Sequence, residues 1–272
     1  MTDNLTDAHS KIFTAVLANN TIAARQLLQP GVVFAGAHAN TMEPSGHWST
    51  HTSLLSTACQ FGGSHQMVKI LLENNADVNL RNSDGTTALH HAAITAQERS
   101  FILLILAGAD VHAKCHRGDT ALYFCTLVSA VHPNGTCKDM AAMLVENGAD
   151  INTVNAMGQS SLHNAASGGD IEMANFLIEK GVNTELVNRD EQRAEQDALT
   201  CGHHSVARLI NAETERVLRD KERLRRREVC ISNYMAFAMG NHKKCREQSY
   251  IELLDPDLMR LVMSKLRILY DA

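Results

Sequence analysis

The chain has 272 residues and a formal net charge of −5, with 25 Lys and Arg against 30 Asp and Glu. That balance removes any general attraction to nucleic acid, because an extended duplex site requires a basic excess. Hydrophobic residues make up 44% but aromatic residues only 4%, so a core of one large or two small domains must be filled by Leu, Ala, Ile and Val.

The opening MTDNLTDAHSK has neither a basic n-region nor an apolar core, and no signal peptide is expected. Asp7–Phe34 contains KIFTAVLANNTIAARQLL, with apolar residues at helical spacing. Gly36–Ser49 reads as an inserted loop rich in Gly and His that holds the single tryptophan, Trp48. From residue 50 two phrases alternate. The first is SDGTTALHHAA at Ser83–Ala93, HRGDTALYFC at His116–Cys125 and MGQSSLHNAA at Met157–Ala166, with a weaker copy at Thr52–Leu55. The second is NADVN ending at Asn79, GADVH ending at His112, GADIN ending at Asn152 and GVNTE ending at Glu185. Its equivalent small residues Ala76, Ala109, Ala149 and Val182 stand 33, 40 and 33 residues apart, the period of a stacked repeat. Within each unit Ser or Thr caps a first helix, and a second helix such as Phe101–Ala109 ends at a glycine. That apolar run is too short to cross a bilayer.

Thr87-Ala88-Leu89-His90, Thr120-Ala121-Leu122-Tyr123 and Ser160-Ser161-Leu162-His163, each followed by small residues and then by a Gly-Ala-Asp phrase, resemble the ankyrin repeat. The resemblance implies an all-α solenoid of helix-turn-helix units with projecting turns, plus a C-terminal helical extension. Residues 1–35 then form an N-terminal capping repeat, 36–49 an insertion loop, 50–211 the repeats with a C-terminal capping unit, and 212–272 a charged helix with an apolar helical tail. The individual repeats are Thr50–Leu80, Arg81–Lys114, Cys115–Val154, Asn155–Val187 and a more polar Asn188–Asn211. The seven extra residues of the fourth unit fall in LVSAVHPNGTCKD, between its helices.

The resemblance implies a non-catalytic protein-binding scaffold whose partner meets the turn tips and the concave face of the first helices. Carried over position by position, the candidate partner-binding residues are Asn82, Ser83, Thr86 and His91; His116, Arg117, Asp119 and Phe124; and Met157, Gln159 and Asn164. Phe124 and Met157 are apolar anchor candidates, although Phe124 can equally tuck into the core beside Tyr123. His90 and His163 are assigned the structural role of joining adjacent turns. The seven cysteines are scattered and odd in number, without Cys-x-x-Cys spacing, which points to buried thiols in a reducing compartment, cytoplasm or nucleus. Only His242-x-x-Cys245 forms a tight ligand pair, so no metal or cofactor is expected. The basic cluster Arg223, Arg225, Arg226 and Arg227 lies in a helix of dense mixed charge that reads as a solvated closing helix, with a nuclear-import signal or an RNA contact as the alternative.

The tail holds a second resemblance. Leu254, Pro256, Leu258, Val262 and Leu266 resemble the opening of an F-box, in the short form found behind ankyrin repeats in poxvirus proteins. It implies docking of a Skp1-like adaptor and a role as the substrate-recognition subunit of a cullin-type ubiquitin ligase. An amphipathic helix starting at Pro256 explains the same residues without a partner. The protein is otherwise expected to be a monomer without membrane contact.

Overall fold

The computed structural model describes residues 2–28, 40, 52–60, 64–132 and 135–240. The tail positions Leu254, Pro256, Leu258, Val262 and Leu266 lie outside the described residues, as does the insertion apart from Asn40. Twelve helices occur among the described residues, with no strand beyond three isolated bridges. They pair as α1 (Thr2–Leu17) and α2 (Thr21–Leu28), α3 (Leu54–Gln60) and α4 (His65–Glu73), α5 (Ala88–Ile94) and α6 (Glu98–Leu106), α7 (Ala121–Ser129) and α8 (Thr136–Glu146), α9 (Ser161–Ser167) and α10 (Ile171–Glu179), and α11 (Ala194–Thr200) and α12 (His204–Gly240). First helices pack on first helices from α1 to α11, and second helices on second helices from α2 to α10. This is an all-α repeat solenoid.

Small residues set the stacking distance. Ala58–Cys59, Ala92–Ala93, Cys125–Thr126 and Ala165–Ala166 occupy matching places on successive first helices, and none is more than 2% exposed. With so little side chain at these points, neighbouring helices approach closely and Leu55, Leu89, Leu122 and Leu162 are sealed at 1% exposure. Each such leucine contributes on the order of 2 kcal/mol by leaving water. Cys59 and Cys125 thus stand in for alanine.

The second helices α4, α6, α8 and α10 end on a left-handed residue: Asn75, Gly108, Gly148 and Gly181 have φ of 62°, 84°, 90° and 82°. The amide three residues past the helix then returns to a buried leucine carbonyl, as Ala109 does to Leu104 at 3.0 Å and Ala149 to Leu144 at 2.9 Å. The last residue of the phrase ties the loop to the next repeat. Asn79 Oδ1 accepts from the Asp110 amide at 2.8 Å while its Nδ2 donates to the Gly108 carbonyl at 3.3 Å. Asn152 accepts likewise from Asn183 at 2.7 Å. Asn40 repeats the pattern, accepting from the Asp77 amide at 2.5 Å and donating to the Asn75 carbonyl at 3.4 Å. The GAHAN sequence at Gly36–Asn40 therefore ends on a residue that does the work of the Gly-Ala-Asp-Val-Asn phrase for the first repeat.

Two features depart from the expected layout. The seven extra residues of the fourth repeat do not form one loop. Relative to the third repeat, α7 gains two residues (9 against 7) and α8 gains two (11 against 9), and the connection takes the remaining three. At the other end, α12 does not stop where the repeats stop. Thr214 occupies the place of Gly181, 33 residues on, and no Gly or Pro lies between His204 and Met239, so the helix runs for 37 residues. The chain divides into two units after Asn211, within this helix. Beyond the division α12 is mostly exposed and carries surface pairs such as Arg216–Glu213 at 2.7 Å and Arg226–Glu222 at 2.6 Å, a type that contributes little to stability.

Between repeats the backbone makes a tight hairpin, here called a finger, closed by Asn82–Thr86, Cys115–Asp119, Asn155–Gln159 and Asn188–Gln192 backbone bonds of 2.8–3.0 Å. Gly118 at one tip has φ +80°, and a Cβ there would lie 3.0 Å from the Ala156 amide nitrogen of the next finger. Gly148 has φ +90° but nothing within 4 Å of such a Cβ. Gly148→Ala therefore reports left-handed strain alone, about 1–2 kcal/mol. Gly118→Ala adds a backbone collision and should lose roughly 1–3 kcal/mol more. Urea denaturation of the two variants checks this; equal losses would show that the fingers are not in close contact.

Candidate functional site

The surface that the repeats can offer a partner is built on the fingers and first helices, and its scaffold is a set of polar contacts. The Thr87 amide donates to His90 Nδ1 at 3.1 Å, so the ring proton sits on Nε2, which donates to the Ala113 carbonyl of the next repeat at 3.1 Å. His163 does the same between the Ser160 amide and the Gln192 carbonyl, both at 3.2 Å. In the fourth repeat the Tyr123 hydroxyl instead donates to Gln159 Oε1 at 3.1 Å. In the sixth, Gln196 Oε1 accepts from the Arg193 amide at 2.8 Å. The histidines therefore join adjacent repeats.

The structure sorts the candidate residues into two groups. Asn82, Thr86, His91, Asp119 and Phe124 are buried, at 3–9% exposure, and present little side-chain surface to a partner. Asn82 Oδ1 accepts from the Ser53 amide of the preceding repeat at 2.9 Å, and its Nδ2 donates to Thr86 Oγ1 and His91 Nε2, both at 3.0 Å. The Asp119 carboxylate accepts from Asn155 Nδ2 at 2.8 Å and pairs with Arg117 Nε at 3.1 Å. Phe124 takes the core alternative, its ring edge-on to His90 with centroids 5.7 Å apart. Asn82, Thr86 and Asp119 are buried because each finger is covered by its neighbour, while His91 and Phe124 face the stack from first helices α5 and α7. In the fourth repeat the pair Asn82 and His91 is replaced by Cys115 and Phe124, an apolar pair at matching positions.

Ser83, His116, Arg117 and Met157 are exposed, and Gln159 and Asn164 half-buried. Asn164 Nδ2 donates to the Tyr123 carbonyl at 3.2 Å, which fixes its orientation. Sequence reasoning passed over Arg81, Lys114, Val154 and Val187, all exposed, which precede the finger turn at the same position of four successive repeats. Three of them, Lys114, Val154 and Val187, form bridges with Thr120, Ser160 and Arg193. Their common spacing of 33, 40 and 33 residues was the available signal.

Neighbouring tips are bonded through the backbone. His116 donates its amide to the Asp84 carbonyl at 2.9 Å, Ala156 to Arg117 at 2.8 Å, and Arg189 to Met157 at 2.9 Å. The exposed side chains thus project from a continuous hydrogen-bonded row. Burial pushes the Cys59 thiol up to about 12 and raises Cys125 further, so neither offers a thiolate. Among the described residues no group of three His, Cys, Asp or Glu is placed to hold a metal ion, and no helix is long and apolar enough to cross a membrane. A cleft of about 250 Å³ between the fourth and fifth helix hairpins is lined by Ser129, Lys138, Asp170 and Glu172. Its charges are engaged locally, with Lys138 on Glu172 at 3.3 Å and the Ser129 hydroxyl on Asp170.

Stacked helix pairs, bonded fingers, and His90 and His163 each joining its turn to the next define a repeat protein that presents an exposed row. Ankyrin repeats (3 copies) match residues 12–115, and ankyrin repeats (many copies) match residues 127–178. The chain belongs to the ankyrin-repeat family. It is similar to neurogenic locus notch homolog protein 1 of Homo sapiens, 32% identical over 144 residues, covering 53% of this chain and 5% of that one. It is similar also to SH3 and multiple ankyrin repeat domains protein 2 of Homo sapiens, 28% identical over 202 residues, covering 64% and 11%. A putative ankyrin repeat protein of fowlpox virus is 29% identical over 145 residues, covering 53% of this chain and 96% of the viral one. The chain spans only a small fraction of the length of the two human relatives.

The joining histidines make stability depend on pH. Burial, with neighbouring His91 adding to it, lowers His90 from its ordinary 6.5 to about 4; burial lowers His91 and His163 in the same direction. The unfolded chain therefore takes up protons below pH 6.5 while the folded chain resists until about 4. Stability is full above 6.5 and falls through that window, by up to ~3 kcal/mol for His90 alone. Because Gln196 already fills this capping place, His90→Gln should keep the fold at pH 7.5 and flatten the decline toward pH 5 in urea midpoints. An unchanged slope would mean that His90 is not held neutral.

Proposed function

We propose that this protein is a non-catalytic recognition module that holds a partner protein against its finger tips and first helices. The observation that carries the reading is the row of exposed Ser83, His116, Arg117 and Met157 on fingers bonded tip to tip. A finger backbone held in this way loses little freedom on docking, and an ordered scaffold carrying exposed residues is the usual setting of a binding surface. The half-buried Gln159 and Asn164 border the same row. The histidines of the repeat phrase are consumed in the scaffold and the buried thiols are held protonated, which favours binding over chemistry. Buried free thiols also favour the reducing interior of a cell.

Affinity capture with the intact protein tests this reading. Met157→Ser and His116→Ala should lose the captured partner while keeping the wild-type helical circular dichroism, and Leu106→Ser, on a second helix and 78% exposed, should retain it. Capture that survives every finger substitution contradicts it.

A second reading rests on the sequence Leu254–Leu266, with its F-box-like register at Leu254, Pro256, Leu258, Val262 and Leu266: the repeats hold a substrate and the tail docks a Skp1-like adaptor of a ubiquitin ligase. Co-purification of the full chain with Skp1, abolished by Leu258→Asp and untouched by Met157→Ser, is the expected result. No Skp1 recovered with the wild-type chain ends this reading.

A further inference from the structure

Arg81, Lys114, Val154 and Val187 precede the turn in four consecutive fingers, one after another along the row. Arg81 leans toward the next finger and donates to the Lys114 carbonyl, and neither Arg81 nor Lys114 has a carboxylate partner among the described residues. Arg117 adds a third exposed cation, its side chain 77% exposed although Nε pairs with Asp119. Against these, Asp84 is the exposed carboxylate in 81–87 and 114–120, because Asp119 is buried. The next two fingers change character. Val154, Met157 and Val187 are 37%, 52% and 49% exposed, and the backbone bond from Arg189 to Met157 places their fingers side by side. Exposed apolar side chains scattered singly need no explanation; these three stand on two fingers bonded to each other. Beyond them Arg189 and Arg193 are balanced by Asp190 and Glu191.

We propose that this row binds an extended segment of a partner protein carrying two carboxylates followed, in one chain direction or the other, by two apolar side chains. The proposal rests on the partner-binding reading of the same fingers and adds the chemistry of what they hold. Adjacent stacked elements lie about 10 Å apart, and an extended chain rises about 3.3 Å per residue, so one finger corresponds to three residues of the partner. The segment therefore reads acidic-x-x-acidic-x-x-apolar-x-x-apolar. The carboxylates meet Arg81 and Lys114, with Arg117 beside them, and the apolar pair meets Val154 and Val187, with Met157 between. Charge selects this partner locally within a chain of net charge −5, which repels acidic segments elsewhere.

The test is fluorescence anisotropy of the full chain with two labelled twelve-residue peptides. One has Glu at its second and fifth positions and Leu at its eighth and eleventh, with Ser and Gly elsewhere; the other is its reverse. One order should bind. Its affinity should fall on the order of ten-fold when Glu is changed to Gln or Leu to Ser in the peptide, when the four residues are respaced, or when the protein carries Lys114→Glu or Val154→Ser. Lys114→Glu should in turn gain affinity for the peptide with Lys in place of the facing Glu. The proposal is overturned if neither peptide binds, if the respaced or Gln peptide binds as well, or if Lys114→Glu changes only the binding of a twelve-nucleotide oligo(dT). Failure here with loss of capture by Met157→Ser removes the acidic-apolar assignment alone. Capture insensitive to every finger substitution removes the partner-binding reading itself.

Discussion

The finger-to-finger hydrogen bonds are the constraint on which the rest of this structure depends. A hairpin tip in solvent ordinarily gives its amides and carbonyls to water and moves with it. Here the amides of His116, Ala156 and Arg189 are each given to a carbonyl of the preceding finger. A single such bond is worth only about 1 kcal/mol net, but it forms only when two repeats stack at the right distance. That distance is set inside the solenoid, where Ala92–Ala93 and Ala165–Ala166 let first helices meet closely. Packing and surface are therefore one problem: the small residues of the core fix where the exposed side chains of the fingers lie.

The polar residues of the turn phrase connect the two levels. His90 and His163 each hold their own helix start and the next finger at once, and the neutral imidazole is needed for both contacts, since one nitrogen must accept while the other donates. Asn82 works backward in the same manner, taking an amide of the preceding repeat. Substitutions within this set keep the geometry rather than the residue type. Tyr123 spans to Gln159, and Gln196 closes the helix start by itself. Where Asn gives way to Cys115, its partner position gives way to Phe124, so no polar atom is left buried without a contact.

The repeat architecture was legible because several copies agree in phase, and the ends of α6, α8 and α10 because a glycine adopts positive φ there. Other features were harder to read for identifiable reasons. Asn40 belongs to a loop phrase whose Asp and Val are replaced by His38 and Ala39, so only its side-chain bonds to Asp77 and Asn75 reveal its role. The length of α12 was written in an absence, Thr214 standing where a glycine would end the helix. The candidate surface was half legible. Ser83, His116, Arg117 and Met157 are at exposed tips, but Asn82, Thr86 and Asp119 are polar residues whose neighbours in space come from other repeats. Residue type alone does not distinguish a turn residue facing water from one facing the next finger. The row Arg81, Lys114, Val154 and Val187 was hidden because that position changes from basic to apolar between repeats, so no residue type repeats there.

What emerges is a surface ordered by its own stacking, basic at the fingers after Arg81 and Lys114 and apolar at those after Val154 and Val187. The recognition proposed for it depends on that order more than on any single residue. The most direct measurement is native-state hydrogen exchange of the tip amides of His116, Ala156 and Arg189. If the fingers are held by their neighbours, these amides exchange as slowly as those of Leu104 and Leu144 in the packed second helices, with loss of protection only on global unfolding. Exchange at the rate of an unprotected loop would contradict the account, because the fingers would then be independent hairpins rather than one pre-formed row.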